Sequence, residues 1–466
     1  MLRSSRRTFI KSLAAASLLR SSSARAARQP NLIILMADDL SARELGCYGN
    51  LDHATPNLDV LARDGVKVET CWATPICRPT RAEILTGRYG HRTGWYHNVM
   101  GPAADEPGYN LATSNQTFPQ LLKRAGYATA TCGKWQLAGS VAEHGFDEAS
   151  LWQRYPGFDG PVETETNGGR AGRAARYWHP AVVENGSPVP TTPNDYGPDL
   201  FVEFLLDFAR RHRDQPFLIF YSMLLPHTAW DFRREVEDYL AVPTMGGGED
   251  DPGASQAGSL RSNIEYTDAL VGKIVRGLDS MNLRERTVLF FTSDNGTRGY
   301  GKNSTTRERG PRVPLIVSGP TQVAAQGSSD ALIDLSDLLP TLLELGGGAL
   351  PADYPIDGRS FAPLLAGRRV AQRDWIFSWL GDRRFVRTRR WLLDGDGRLW
   401  DCGERRDEKD YREVTGADTP KIERRARRRL EQILERHPPP RPALVRQAWR
   451  HSRCLLPRPV TITVRA

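Results

Sequence analysis

The stretch Asn31-Leu32-Ile33-Ile34-Leu35-Met36, followed directly by Ala37-Asp38-Asp39, decides the fold class of this chain. Its apolar run is continuous, whereas a strand with one face in water alternates apolar and polar residues. Such a run predicts a strand buried on both faces, which is typical of a central parallel strand in an α/β sheet. Ligands of these sheets bind outside the carboxyl ends of the strands. Asp38 and Asp39 are therefore the first candidates for a functional site.

Two later apolar segments show the same pattern of a strand that ends in polar residues. Residues 287–292 run into Asp294 and Asn295, and residues 216–221 lead towards His227. We therefore expect three strand ends to deliver polar side chains to one edge of the sheet.

Amphipathic segments separate these strands. Apolar residues recur at helical spacing in four stretches, 55–64, 118–125, 262–281 and 334–345. Alternating strands and helices predict a doubly wound α/β domain, with a central mostly parallel sheet flanked by helices. Residues 157–197 are rich in Gly, Pro, Asn and Thr, and they are predicted to form long substrate-facing loops. Residues 245–258 are predicted to form a second Gly-rich and acidic loop.

The character of the chain changes near Gly367. Short strand-like segments separated by Gly-Asp turns follow, at 375–379, 384–387, 391–393 and 398–400. Residues 421–437 then form a basic helical pattern, which we interpret as a solvated face rather than an anionic-ligand site. The sequence thus predicts a small α+β subdomain over 368–466, packed on a larger domain over 28–367.

The chain has 466 residues and a formal net charge of +8, but seven basic residues and no acid lie in the first 28. Without that segment the protein is near neutral, so its basic pI is poor evidence for nucleic-acid binding. The segment resembles a twin-arginine signal peptide over residues 1–27. It carries the motif Ser5-Arg6-Arg7-Thr8-Phe9-Ile10-Lys11, a short apolar stretch at 13–19, and Ala24-Arg25-Ala26 as a cleavage site. We predict a periplasmic or secreted protein without a stable membrane span, since the apolar stretch is too short to cross a bilayer. A disordered basic tail is the alternative.

Six cysteines are scattered along the chain, at positions 47, 71, 77, 132, 402 and 454. They form no Cys-x-x-Cys pair and no paired Cys/His spacing, so we expect neither a zinc site nor an iron–sulfur cluster. A disulfide such as Cys402–Cys454 is compatible with an exported protein, although the sequence does not determine the pairing.

Cys77-Arg78-Pro79-Thr80-Arg81, which continues to the tail Leu85-Thr86-Gly87-Arg88, is the most distinctive motif of the chain. A cysteine beside a proline is by itself usually a small buried residue. This motif, however, resembles the first signature of the sulfatase family, and residues 126–137 resemble the second. Further landmarks follow in the family's order between residues 30 and 414. The resemblance implies an alkaline-phosphatase-like α/β domain and a smaller C-terminal domain built around an antiparallel sheet.

The resemblance also implies a nucleophile and a metal ion. In that family the cysteine, here Cys77, is oxidised to formylglycine, whose hydrate attacks sulfur. The ion is expected to be Ca²⁺, with Mg²⁺ as the alternative, and its ligands are expected to be Asp38, Asp39, Asp294, Asn295 and the modified side chain at position 77. Four oxygen donors at two strand ends suit a hard cation. As isolated pairs, Asp-Asp and Asp-Asn more often cap helices or form turns.

The other catalytic candidates follow from the same motifs: Arg81, Lys134, His227, Lys302 and Gln136. Arg81 is expected to orient the nucleophile, and the two lysines are expected to bind sulfate oxygens as compact charges. His227 is expected to protonate the leaving alcohol or to steady the sulfate ester. Gln136 departs from the pattern, since the family usually has a histidine there and glutamine is not a base at neutral pH. We therefore expect that sulfate release is slower, that it uses another base, or that Gln136 marks a subfamily with its own substrate.

The sequence accordingly predicts a sulfuric ester hydrolase that is similar to arylsulfatases and converts a sulfate monoester to an alcohol and inorganic sulfate. One alternative is a phosphate or phosphonate ester hydrolase with the same nucleophile. The other is a non-catalytic binding protein for sulfated glycans, which only Gln136 supports. Arginine and tryptophan residues in the predicted loops favour a sulfated glycan as substrate, namely Arg170, Arg173, Arg176, Trp178 and Trp230. Expected partners are a formylglycine-generating or anaerobic maturation enzyme and the twin-arginine export machinery.

Overall fold

The computed structural model describes residues 29–99, 110–160, 162–164, 171–174, 176–227, 259–368, 373–405, 407–416 and 420–442. The predicted signal peptide, the loop at 245–258 and Cys454 lie outside these residues. Within them, no helix combines the length and the apolar character that a bilayer crossing requires.

Eighteen strands occur in the described residues. In chain order they are β1 Asn31–Ala37, β2 Val66–Trp72, β3 Ala128–Gly133, β4 Glu148–Trp152, β5 Val162–Thr164, β6 Ala171–Ala174, β7 Val182–Glu184, β8 Ser187–Val189, β9 Phe217–Ser222, β10 Thr287–Ser293, β11 Arg312–Val313, β12 Leu315–Ser318, β13 Gly327–Asp334, β14 Ile376–Leu380, β15 Arg383–Arg387, β16 Trp391–Leu393, β17 Leu399–Asp401 and β18 Arg412–Glu413.

Ten α-helices accompany these strands in the same part of the chain. They are α1 Pro56–Arg63, α2 Cys77–Thr86, α3 Gly90–Thr93, α4 Leu111–Ser114, α5 Phe118–Arg124, α6 Gly197–Arg211, α7 Leu260–Ser280, α8 Leu338–Gly346, α9 Ala362–Leu365 and α10 Lys421–Glu435. A 3₁₀ turn at Leu335–Asp337 precedes α8, so the helix predicted over 334–345 begins with a tighter turn.

A large sheet forms the centre of the molecule, in the order β11-β2-β12-β10-β1-β9-β3-β4-β7-β8, with β13 also paired to β2. Its middle strands β10, β1, β9, β3 and β4 are parallel, whereas β12, β11, β7 and β8 join through antiparallel pairs. This mostly parallel sheet flanked by helices confirms the predicted α/β class.

The continuous apolar run of β1 is explained by helices on both faces of the sheet. Ile33 and Leu35 belong to one core, with apolar residues of α6 and α7. Leu32, Ile34 and Met36 belong to the opposite core, with apolar residues of α5 and α8. Because alternate side chains of a strand point to opposite faces, an interior strand of this sheet needs an apolar residue at every position.

The predicted loop region 157–197 contains short strands that sequence reasoning missed. β5 pairs with β6, and β7 with β8, both antiparallel, and β7 extends the main sheet beside β4. The turn between β7 and β8 is Asn185-Gly186, with φ of 49° and 86°. That dipeptide is the strongest short hairpin signal, because both turn positions need positive φ. The three-residue strands were too short for an alternating pattern to be recognised.

A second sheet, β14-β15-β16-β17-β18, is entirely antiparallel and carries α10, as the fold prediction expects. It contacts the first domain next to the distinctive cysteine motif. The Ser378 hydroxyl of β14 donates to the Ala73 carbonyl at 2.7 Å, and the Trp379 indole donates to the Trp95 carbonyl at 2.9 Å. The small sheet therefore supports the chain that leads into Cys77.

Candidate active site

Cys77 is the first residue of α2 and is 1% exposed. Pro79 is tolerated here because residues in the first turn of a helix have no intrahelical acceptor for their N–H groups. The Thr80 side chain holds the preceding loop, since its Oγ1 accepts from the Thr74 amide at 3.0 Å and lies 2.7 Å from Thr74 Oγ1. The motif thus places the Cys77 side chain at a helix N-terminus.

The carboxyl ends of β1 and β10 bring the acidic candidates together. The parallel register pairs Ala37 with Ser293, so the residues that follow, Asp38 and Asp294, become neighbours. The Asp39 amide donates to Asp294 Oδ1 at 3.1 Å. Asp39 has a φ of 68°, a left-handed conformation that is uncommon for a residue with a Cβ and clusters at functional sites.

These acids and Cys77 form a compact donor set. One ligand atom from each of Asp38, Asp39, Cys77 and Asp294 lies within 4.8 Å of the others. Oxygen ligands on opposite sides of Ca²⁺, each about 2.3–2.6 Å from the ion, lie about 5 Å apart. Asn295 lies beside them, and its buried Oδ1 has no hydrogen-bond partner among the described residues. The set therefore fits a hard cation such as Ca²⁺ or Mg²⁺.

The side chains of Lys134, Lys302 and Arg81 bring three positive charges to this set of ligand atoms, and the two lysines are described first. Lys134 Nζ lies 2.6 Å from Asp38 Oδ2 and 3.7 Å from Cys77 Sγ. Lys302 Nζ donates to both Asp39 oxygens, at 2.7 and 2.9 Å. These contacts place both predicted lysines at the same cluster, although they lie on separate chain segments.

Arg81 contacts the cluster from its position one turn along α2. Its Nη2 donates to Asp294 Oδ2 at 2.7 Å, and Nη1 donates to the Ser222 hydroxyl. Ser222 ends β9 and was not a sequence candidate, since a serine at a strand end is too common to single out. The pair of bonds fixes the orientation of the guanidinium.

Burial and neighbouring charges together set the pKa values of the acids and of the thiol in this site. Burial alone would raise the pKa of Asp38, but Lys134 and the other cations hold it well below its ordinary value. Burial, with the Asp38 carboxylate, raises the pKa of Asp294 to about 6. Burial, with Asp294, raises the pKa of the Cys77 thiol to about 12. An unmodified Cys77 is therefore a protonated thiol at physiological pH and a poor nucleophile.

His227 reaches the site from the loop after β9. Its Nε2 lies 3.6 Å from Asp39 Oδ2, and its Nδ1 lies 3.1 Å from Arg176 Nη1. Burial, and then the charges of Arg176 and Lys302, keep the pKa of His227 well below its ordinary value. Since arginine is always a donor, Nδ1 of the neutral ring accepts and the ring proton resides on Nε2, which faces Asp39.

Arg176, which the sequence placed in a substrate-facing loop, lies beside His227 and Trp152. It is only 2% exposed, and its guanidinium lies 4.7 Å from the centre of the Trp152 ring as well as against His227. Trp178 is half-buried and packs on Tyr196, with ring centres 5.0 Å apart. Arg170, Trp230 and the side chain of Arg173 lie outside the described residues.

Gln136 is half-buried just after the Lys134 segment, and its buried Oε1 has no hydrogen-bond partner among the described residues. An unsatisfied amide oxygen is an acceptor available to a hydroxyl or to water. The structure thus brings together the candidates Asp38, Asp39, Cys77, Arg81, Lys134, His227, Asp294, Asn295 and Lys302 through direct contacts.

Known proteins resemble this chain in sequence and in fold. The Sulfatase family profile matches residues 30–348. A steryl-sulfatase of Mus musculus is 32% identical over 454 residues, covering 78% of this chain and 69% of that protein. An N-acetylgalactosamine-6-sulfatase of Homo sapiens is 30% identical over 394 residues, covering 78% of this chain and 70% of that protein.

Solved structures support the fold assignment. The crystal structure of Ps i-CgsB in complex with k-i-k-neocarrahexaose matches with a TM-score of 0.69 and 22% identity, covering 91% of this chain and 97% of that one. A protein solved in complex with its substrate D-glucosamine-2-N,6-O-disulfate matches with a TM-score of 0.64 and 20% identity, covering 91% and 98%.

These likenesses show an alkaline-phosphatase-like fold, which holds the buried cluster of acids and Cys77 at its strand ends. The chain belongs to the sulfatase family. It is accordingly a sulfuric ester hydrolase.

Proposed function

We propose that this enzyme hydrolyses sulfate monoesters of a glycan, with Cys77 converted to formylglycine and a hard divalent cation bound beside it. The observation that carries the proposal is the position of Cys77 Sγ, 3.7 Å from Lys134 Nζ and 3.8 Å from Asp38 Oδ1 in a fully buried cluster.

Asp38, Asp39, Asp294 and Asn295 would hold the cation, together with the modified side chain at position 77. When present, the formylglycine hydrate supplies an oxygen nucleophile and the cation supplies charge stabilisation for sulfate oxygens. Lys134 and Lys302, already held by Asp38 and Asp39, provide fixed positive charge where negative charge develops on the sulfate group. Arg81, locked by Asp294 and Ser222, orients the nucleophile.

His227 would assist the leaving group. Its Nδ1 is occupied by the Arg176 guanidinium, so its Nε2 carries the proton on the side that faces the cluster. A neutral imidazole with Nε2–H in this place can donate a hydrogen bond to the ester oxygen and stabilise the negative charge that develops on the leaving alcohol. Arg176 therefore acts as a positioning residue for His227.

The family's usual base for sulfate release is absent from this chain, because Gln136 stands at its position. Gln136 can donate or accept a hydrogen bond but cannot take a proton at neutral pH. The base for this step is then another group, or the step is slow. We propose Gln136 as a hydrogen-bonding residue towards the side chain at position 77.

A sulfated glycan is the proposed substrate class. Two proteins that share the fold were solved in complex with a neocarrahexaose and with a sulfated glucosamine, and one relative is named for N-acetylgalactosamine-6-sulfate. Steryl-sulfatase is named for a different alcohol, so a test must include both kinds of ester.

Domain organisation, export and maturation belong to the same proposal. We infer a catalytic domain over 28–367 and a C-terminal subdomain over 368–466, the latter built on the antiparallel sheet. We infer that residues 1–27 are a twin-arginine signal and that the enzyme works in the periplasm or outside the cell. Its partners would then be that export machinery and a cytoplasmic enzyme that oxidises Cys77.

The first test is mass spectrometry of the peptide that contains Cys77, from protein purified from its native host. Formylglycine is expected there. Sulfate release from a panel of sulfated oligosaccharides, a steryl sulfate and an aryl sulfate is then measured for the wild type and for Cys77→Ala, with Cys71→Ala as a matched buried control. Full activity of Cys77→Ala would refute the proposal. Turnover of an aryl phosphate with the same aryl group is measured beside the aryl sulfate. Faster turnover of the phosphate would favour the alternative of a phosphate or phosphonate hydrolase.

A further inference from the structure

A second cluster of metal-ligating side chains lies where the two sheets' domains meet. His91 is in α3, Asp357 lies in the loop before α9, and His437 follows the end of α10. One ligand atom from each of the three lies within 4.8 Å of the others. These residues come from three chain segments, and none of them is among the active-site residues described above.

The ring nitrogens of this cluster are buried without partners. His91 Nδ1 and both ring nitrogens of His437 have no hydrogen-bond partner among the described residues. His437 is 8% exposed. Buried polar side-chain atoms nearly always have a partner, so unpartnered nitrogens on two neighbouring rings need an explanation. A bound cation would take one nitrogen from each ring together with the Asp357 carboxylate.

The surroundings are those of a well-held ligand set. Phe377, Tyr89 and Trp375 enclose the His437 ring, with ring centres at 4.7, 5.3 and 5.4 Å. The His91 and His437 rings are 5.2 Å apart. Burial lowers the pKa of His91 and lowers that of His437 to about 4, so both imidazoles are neutral, which is the ligand form.

Other protein groups hold the Asp357 carboxylate and the end of α10 in place without a bound ion. Asp357 accepts from the Tyr89 amide at 2.8 Å and from Arg92 Nε at 2.9 and 3.1 Å. A carboxylate has about four lone-pair sites, so it can still bind a cation. Arg384 donates to the His437 carbonyl at 2.9 Å and to the Leu434 carbonyl at 2.7 Å, which fixes the backbone of His437.

We propose that His91, Asp357 and His437 bind a divalent transition-metal ion of the zinc class. Two imidazole nitrogens and one carboxylate oxygen match the donors that Zn²⁺ takes, whereas the oxygen-rich cluster at Asp38 suits a hard ion. A fourth position remains for solvent or for the second carboxylate oxygen. The ion cross-links the end of α10 to α3, and thereby links the C-terminal sheet to the first domain.

The test is calorimetric titration of the full-length protein with Zn²⁺, after dialysis against a chelator and in excess Ca²⁺ so that the hard site is filled. We compare the wild type with His91→Gln, His437→Gln and the control His212→Gln. His212 is a half-buried histidine on another face, where it pairs with Glu148. Thermal melting with and without Zn²⁺ is recorded for each protein.

We expect one equivalent of Zn²⁺ to bind the wild type and His212→Gln and to raise their melting temperatures. Since even an outer partner of a ligand changes metal affinity about 10- to 100-fold, loss of either histidine should weaken binding at least about 100-fold. His91 is only half-buried, so His91→Gln keeps the test valid if His437→Gln fails to fold. Absence of stoichiometric binding to the wild type, or wild-type affinity in His91→Gln, would overturn the proposal.

Discussion

Glu308 forms a buried ionic network that joins the two sheets, and its removal gives a quantitative test of how they are held together. Its carboxylate is 0% exposed. It accepts from the Tyr411 hydroxyl at 2.6 Å, from the Trp72 indole at 3.1 Å, and from Arg387 Nη1. Arg312 Nη1 lies 3.4 Å away. Trp72 belongs to the main sheet, whereas Arg387 belongs to the small one.

The magnitude follows from the protonation equilibrium. Burial alone would raise the pKa of Glu308, but Arg387 and Arg312 lower it from an ordinary 4.5 to about 2. At 1.36 kcal/mol per pKa unit, that difference corresponds to about 3 kcal/mol. Removal of one partner of a buried ion pair costs about 3–5 kcal/mol, which is a similar value. We therefore expect Glu308→Gln to lower the free energy of unfolding by about 3 kcal/mol at pH 7.

The pH dependence gives the sign. A carboxyl group whose pKa is lower in the folded state stabilises the fold above its unfolded pKa, and this contribution is lost as pH falls towards the folded pKa. The advantage of the wild type over Glu308→Gln should thus be full above about pH 5 and shrink as the pH falls from 4.5 towards 2.

The assay is urea unfolding of both proteins at several pH values between 7 and 3, followed by tryptophan fluorescence. Asp330→Asn is the matched control, because Asp330 pairs with Arg389 on the surface with both side chains largely exposed. Exposed pairs contribute under about 1 kcal/mol. Equal stability of Glu308→Gln and wild type at pH 7, or a difference that does not change with pH, would refute the reasoning.

Three further predictions concern catalysis. Lys134→Ala and Lys302→Ala should each lower kcat by about 10²-fold, the effect of one lost charge-stabilising donor, whereas exposed Lys123→Ala should not. Arg176→Met should slow alkyl sulfates more than an aryl sulfate with a good leaving group, because a poor leaving group depends more on the hydrogen bond from His227 Nε2; equal losses would contradict that role. Chelation should abolish turnover until Ca²⁺ or Mg²⁺ is restored, and recovery with Zn²⁺ alone would contradict a hard-cation site.

The order and type of the main elements could be predicted from the sequence because their signals are local. A strand buried on both faces needs apolar residues throughout, and β1, β9 and β10 carry that pattern in their own residues. The acids after β1 and β10 could be assigned to one edge, since parallel strands end together. The Asn185-Gly186 hairpin was also readable, and it was missed.

What the sequence by itself determined is therefore the α/β class, the family motifs and the residues at the strand ends. Only the tertiary structure decided which side chains touch: Arg176 against His227, Ser222 against Arg81, and His91 near Asp357 and His437. Secondary structure follows from local periodicity along the chain. Contacts between distant segments follow from how helices and sheets pack, and packing depends on the shapes of all the residues between them.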